Sequence, residues 1–168
     1  MIIPILKRIT WALLLLTIQV LILNHVHPSG YGAPLLCPLI VITLPMGISR
    51  SAALLWGFCI GLIADIFAGT AGISSAALTF IAFAQPPILA FMAPRDSDEE
   101  LYPSFSTMGR WNYFQFVALL LLLHHIVYFA LEGFSYFHFT DIFISMLVSY
   151  LASLILIVLV EHVRNPQK

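Results

Sequence analysis

The sequence predicts an all-α, polytopic membrane protein of six transmembrane helices, the second short and interrupted by proline. Three observations predict it. Of 168 residues, 61% are hydrophobic and only 9% carry a formal charge, where a soluble domain has about a quarter charged. Mean hydropathy is +1.00. The few polar stretches are spaced so that apolar runs of membrane length lie between them. A single integral membrane domain over residues 1–168 follows, since the longest polar stretch, 93–110, is too short for a second one. The net charge of −1 says nothing about partners, while the lack of a basic patch speaks against nucleic acid. The medium is membrane lipid. Cys37 and Cys59 fall in apolar runs without CxxC spacing, so they read as small hydrophobes rather than redox or metal groups.

The first span, about 9–24, follows Lys7 and Arg8. It resembles a signal peptide, but no small-residue cleavage pattern follows and Gln19 and Asn24 lie in or beside its core, so an uncleaved span is expected. Residues 25–32, HVHPSGYG, read as a polar turn. The second candidate, 33–47, carries Pro34, Pro38 and Pro45. About 12 helical residues rise only about 18 Å, against a hydrocarbon core of about 30 Å, so it is a short bent span or a re-entrant segment. The third span is 51–68, and a Gly69–Gly72 turn leads to the fourth, 73–92, where Pro86 and Pro87 should bend or fray the end. In the connection 93–110, Ser97 and Glu100 have capping-box spacing before Pro103 stops any helix. The fifth span is 111–134, with an aromatic exit suited to a membrane interface. The sixth is 141–160.

Charge decides the second segment. If it crosses, both termini and the second and fourth connections share one side, and those places hold Lys7, Arg8, Arg50, Arg95, Arg110, Arg164 and Lys168, every Lys and Arg in the chain. The positive-inside bias makes that side cytoplasmic. In a bacterium this is the inner membrane, crossed several times with both termini in the cytoplasm. The other face is then acidic and histidine-rich, with Asn24, His25, His27, Glu132, His138 and Asp141.

Around Asp65 the third span carries a stripe of small residues. Ala53, Gly57, Gly61, Asp65 and Gly69 share one helical face, and Gly57 and Gly61 have GxxxG spacing, so close packing is expected, within the chain or to a partner. Asp65 lies about 21 Å from the inner start of its helix. An acid in lipid costs at least about 2.5–3.5 kcal/mol, so it must face protein or trapped water. It is either a proton or ligand site, or a structural acid that caps the following glycine turn or pairs with His25 or His27.

His124 and His125 are adjacent, about 100° apart on a helix, and poorly placed to share a metal; the chain has no HExxH motif, so no metal or cofactor is expected. Hydrogen bonding between helices, with His124, Tyr128 and Glu132 along one edge, is the expected use. Gln19 and Asn24 are further structural polar candidates. There is no GxSxG motif and no serine with a base at a defined spacing, so a non-enzymatic role is expected. An intramembrane enzyme would need metal on His124, His125 or Glu132.

The order of QVLILN at 19–24, Pro34 and Pro45 around the short second span, GLIADIFAGTAGISSAAL at 61–78 and LLHHIVYFALEGFSY at 122–136 resembles the bacterial MreD family of rod shape-determining membrane proteins. The similarity runs from about residue 10 to 162 and is closest to the short branch of Bacteroidota-like bacteria. Ser74–Ser75 depart from that branch, where a histidine is expected. The resemblance implies a scaffold subunit of the cell-elongation complex, supporting cell shape and peptidoglycan synthesis. Its partners would be an MreC-like membrane protein and, through it, MreB, RodA and a class B penicillin-binding transpeptidase. The family also looks like the six-helix S-component of energy-coupling-factor transporters, which implies a small-molecule uptake subunit as the alternative.

Overall fold

The computed structural model describes residues 2–25, 32–70, 72–93, 101–133 and 139–164. Among these the chain is all-helical, with seven α-helices and a short 3-10 turn, Leu23–His25. They are α1 (Ile2–Leu21), α2 (Pro38–Ile42), α3 (Arg50–Ala68), α4 (Ile73–Met92), α5 (Phe105–Met108), α6 (Arg110–Gly133) and α7 (Phe139–Arg164). Four of them, α3, α4, α6 and α7, are long and apolar enough to cross a membrane. The apolar part of α1, Arg8–Leu21, is shorter.

Boundaries differ from expectation where local chemistry permits more or less helix. α1 starts near Ile2 and carries Lys7 and Arg8 within it, since both are good helix formers, and it ends at Leu21 rather than 24. α7 continues past 160 to Arg164, where Arg164 pairs with Glu161 one turn back at 3.2 Å. α4 matches its expected bounds, and Pro86 and Pro87 sit inside it without ending it. In the described part of the connection, residues 101–103 are non-helical and helix forms after Pro103. Ser104 caps α5 through a box with Thr107, while the expected Ser97–Glu100 box and His27, His138 and the 134–136 part of the aromatic exit lie outside the described residues.

The hairpin of α3 and α4 is the tightest unit. Ser49 caps its start, accepting from the Ala52 N–H, and Gly69 ends α3 at φ 68°, a left-handed conformation that glycine adopts without strain. α4 packs in turn on α6, and α6 on α7. The small residues of α3 are the contact with α4. A Cβ on Gly57 would stand 2.7 Å from the Leu78 carbonyl oxygen, and one on Gly61 2.7 Å from both the Ser74 oxygen and the Ser75 nitrogen. The stripe at Ala53, Gly57 and Gly61 is therefore an internal seam, closed by α4.

The expected second span is helical only over Pro38–Ile42, about 7.5 Å of rise. It lies against α1, α3, α4 and α6, and all five of its residues are buried, as are Leu36, Cys37 and Leu44. The segment crosses the interior. Its start meets α1 and α7 through Gln19, Ser149 and Ser153, and its end meets α4 and the α4–α5 connection through Gln85 and Leu101. At the Leu101 end, Arg8 donates to the Tyr102 hydroxyl at 2.6 Å and Arg164 lies over the Trp11 ring. Apolar residues that face outward, such as Leu55, Phe58 and Ile66 on α3 and Phe143, Leu147, Leu151, Ile155 and Leu159 on α7, suit a lipid medium.

Candidate functional site: a polar frame around the central segment

Non-helical backbone inside a bilayer survives only where protein or enclosed water completes its hydrogen bonds. Residues 32–36 are non-helical and have few backbone partners, so side chains supply them. Gln19 on α1 is the main clasp. Its Oε1 accepts the Leu36 N–H at 2.6 Å, and its Nε2 donates to the Pro34 carbonyl at 3.2 Å and to Asn24 Oδ1 at 3.0 Å. From α7, Ser149 donates to the Ala33 carbonyl, and Ser153 accepts the Leu35 N–H at 2.7 Å. At the far end, Gln85 Nε2 of α4 donates to the Leu44 carbonyl at 2.9 Å, and the Met46 N–H reaches the Leu101 carbonyl at 3.0 Å.

His125 backs this frame. Its Nδ1 lies 2.8 Å from the Leu121 carbonyl; a carbonyl only accepts, so Nδ1 carries the proton and, in the neutral ring, Nε2 is the acceptor. Ser149 and Ser153 both stand 3.4 Å from Nε2. Ser149 has given its hydroxyl proton to Ala33, which leaves Ser153 as the donor. One hydrogen-bond chain thus runs from Leu35 N–H through Ser153 and His125 to Leu121, tying the central segment to α7 and α6.

Asp65, buried at 3% exposure, works locally. α4 begins at Gly72 with no side-chain cap of its own, and Asp65, reaching across from α3, fills that role. Oδ1 accepts the Ser74 N–H at 2.8 Å and the Thr70 hydroxyl; Oδ2 accepts the Ser75 N–H at 2.8 Å and the Ser75 hydroxyl at 2.6 Å. An anion held on the first free amides of a helix is stabilised by those donors and by the helix dipole. Ser74 and Ser75 are part of this cap, and Gly69 is its turn.

The two histidines diverge. His125 faces α7, while His124 stacks on Tyr128 with ring centroids 5.9 Å apart, and its Nδ1 is buried without a partner. Among the described residues the expected edge of His124, Tyr128 and Glu132 shows no hydrogen bond between helices; the histidine that joins helices is His125, and the other three residues line cavities. Among the described residues no three His, Cys, Asp or Glu side chains converge as a metal-ligand set.

At the Asn24 end of the bundle lies a cavity of about 600 Å³ between α1, α3, α6 and α7, bordered by Asn24, Thr70, Tyr128, Glu132, Asp141 and Ser145. Gln19, Asn24, Asp65 and His125 stand out in the sequence as polar candidates; Ser149, Ser153 and Gln85 do not. The signal for the first pair is two serines one turn apart on the same face of the most apolar helix; for Gln85 it is an amide facing inward just before two prolines.

Fold and frame together define an all-helical, multi-pass membrane protein whose irregular central segment is held by buried polar side chains. No family model, curated protein or solved structure matches the chain.

Proposed function

We propose that the chain is a scaffold of the MreD type in the bacterial inner membrane. It has six passes and both termini in the cytoplasm, and it binds the single transmembrane helix of an MreC-like protein. Through that partner it would connect to MreB, RodA and a class B penicillin-binding transpeptidase. One observation carries the reading: three of the buried polar residues that carry the resemblance, Gln19, Asp65 and His125, hold the chain's own backbone directly or through a serine. Gln19 holds Leu36 and Pro34, Asp65 holds Ser74 and Ser75, and His125 backs Ser153. Polar groups used in this way make a rigid platform. The six-pass topology is supported by the path of residues 33–46 across the bundle and by Arg8, Arg50, Arg110 and Arg164 at one end, away from Glu132 and Asp141.

Because the glycine stripe is closed by α4, the partner helix belongs on an outward face. The stripe Phe143, Leu147, Leu151, Ile155 and Leu159 recurs every four residues along α7, as a helix seam requires. Single cysteines at Leu151 and, as control, Leu55 on α3, with the MreC-like partner co-expressed, test this. Crosslinking at Leu151 and not Leu55, with loss of rod shape on depletion, is expected. Normal rods and no co-purification would overturn the scaffold. A Gly61→Leu variant would not discriminate, since it breaks the hairpin.

The second reading, an S-component-like uptake subunit, draws on the 600 Å³ cavity at the acidic end. A small molecule that co-purifies with the chain, together with an uptake defect on depletion, would favour it over the scaffold.

A further inference from the structure

We propose that the cavity at the acidic end binds a small organic cation, a primary ammonium group carried on an apolar or aromatic body. Its volume of about 600 Å³ is that of a small-molecule site. Phe67, Phe129 and Ile142 provide apolar wall, Tyr128 adds an aromatic ring with a hydroxyl, and Glu132 and Asp141 supply two carboxylates. Glu132 is half-buried and makes no hydrogen bond or ion pair with any described residue. The described arginines, at positions 8, 50, 110 and 164, lie at the other end of the bundle. The negative charge at this mouth therefore has no counter-ion among the described side chains.

A second observation points inward from the carboxylates. A chamber of about 30 Å³ shares Asn24, Leu35, Ala68 and Tyr128 with the large cavity. His124 lines it at 2% exposure, with Nδ1 unpartnered. An orphaned buried nitrogen is costly, and a chamber of this size has room for one water-sized group that can hydrogen-bond to it. Tyr128 stacks on His124, so one aromatic wall runs from the carboxylates to that nitrogen. Carboxylates beside aromatic faces select cations. An anion would meet two like charges, and a neutral guest would desolvate Glu132 without pairing it. The site rests on the cavity alone and stands whether the chain acts as scaffold or as uptake subunit.

The test uses the full chain in nanodiscs of zwitterionic lipid, dialysed to equilibrium against 2-phenylethylamine, 2-phenylethanol and phenylacetate, with empty nanodiscs as blank. These probes share a body and differ in charge. Retention of the amine above both others is expected, with at least a tenfold loss of affinity in Glu132→Gln and a severalfold loss in Asp141→Asn. Both variants should keep the parent's thermal midpoint, since neither carboxylate carries a hydrogen bond to a described residue. If Glu132→Gln is not monodisperse, Asp141→Asn and Tyr128→Phe give the same readout. Equal retention of the three probes, or amine binding indifferent to these substitutions, would overturn the site. So would a crosslink from Glu132 to a partner lysine without amine retention, which would assign the charge to a protein contact. Co-purification with an MreC-like partner is measured separately, so failure of the site and failure of the scaffold reading are distinguishable.

Discussion

The α3–α4 hairpin and the segment 32–46 face the same difficulty, unpaired backbone in an apolar medium, and meet it in opposite ways. In the hairpin the partners are close in sequence. Asp65 reaches donors nine and ten residues away, and Gly57 and Gly61 let two regular helices touch. In the segment the partners are remote: Gln19 lies 17 residues from Leu36, and Ser153 lies 118 residues from Leu35. A local device forms as soon as two neighbouring helices meet. A remote one needs α1, α6 and α7 all in place before the segment can leave water or headgroups, so it reports on the whole bundle.

The largest effect separating the two is expected at Asp65. Asp65→Ala leaves the amides of Ser74 and Ser75 buried without an acceptor. Each such group costs about 1–3 kcal/mol, more where the lost acceptor was charged, so a loss of at least about 2 kcal/mol is expected in reversible unfolding in mixed micelles. Asp65→Asn keeps one acceptor oxygen and should recover part of it. The damage should stay local: protease cleavage near residue 70 should rise while the central segment stays protected. Equal exposure of both regions would mean that the hairpin is not an independent unit.

Next in size is Gln19→Leu, which removes the clasp from the other side of the comparison. Leu36 loses its acceptor and Pro34 and Asn24 lose a donor, at a cost of about 1–3 kcal/mol. Cys37, one residue beyond the clasp and buried at 5% exposure, is the reporter. Its labelling by a membrane-permeant maleimide should rise severalfold in Gln19→Leu and stay at the parent rate in Asp65→Asn. The reverse pattern would show that the hairpin, and not the clasp, holds the segment.

The same contrast explains what the sequence disclosed. The α4 bounds and the close packing of Gly57 and Gly61 were legible, and a cap was one of the uses left open for Asp65, because period, small-residue spacing and a glycine turn are local signals. The segment 33–47 was legible only as a problem: three prolines and too little length. Its solution was hidden, because nothing near residues 33–36 names Ser149 or Ser153 as their partners. Gln19 and Asn24 stood out as polar residues in an apolar run, yet their targets could not be read until the fold brought Pro34 and Leu36 beside them. At His124 and His125 the sequence showed that the rings diverge but not which one joins helices. That depends on the side of α6 that α7 covers.

The smallest expected effect tests whether the remote frame is a set of independent bonds or one connected chain. Ser153 lies between the Leu35 N–H at 2.7 Å and His125 Nε2 at 3.4 Å, and the second distance is that of a weak bond. Hydrogen bonds between membrane helices average only about 0.6 kcal/mol in double-mutant cycles. Ser153→Ala should cost more than that, because it strands the Leu35 amide. His125→Phe keeps a flat ring against Phe129 and Tyr150 and removes the nitrogen that orients Ser153. If the chain is connected, the two substitutions together should cost less than their separate effects combined, by about 0.5 kcal/mol or more. The cycle reads that difference in reversible unfolding. Strict additivity would reduce His125 to a packing residue and leave the serines of α7 to hold residues 33–35 alone.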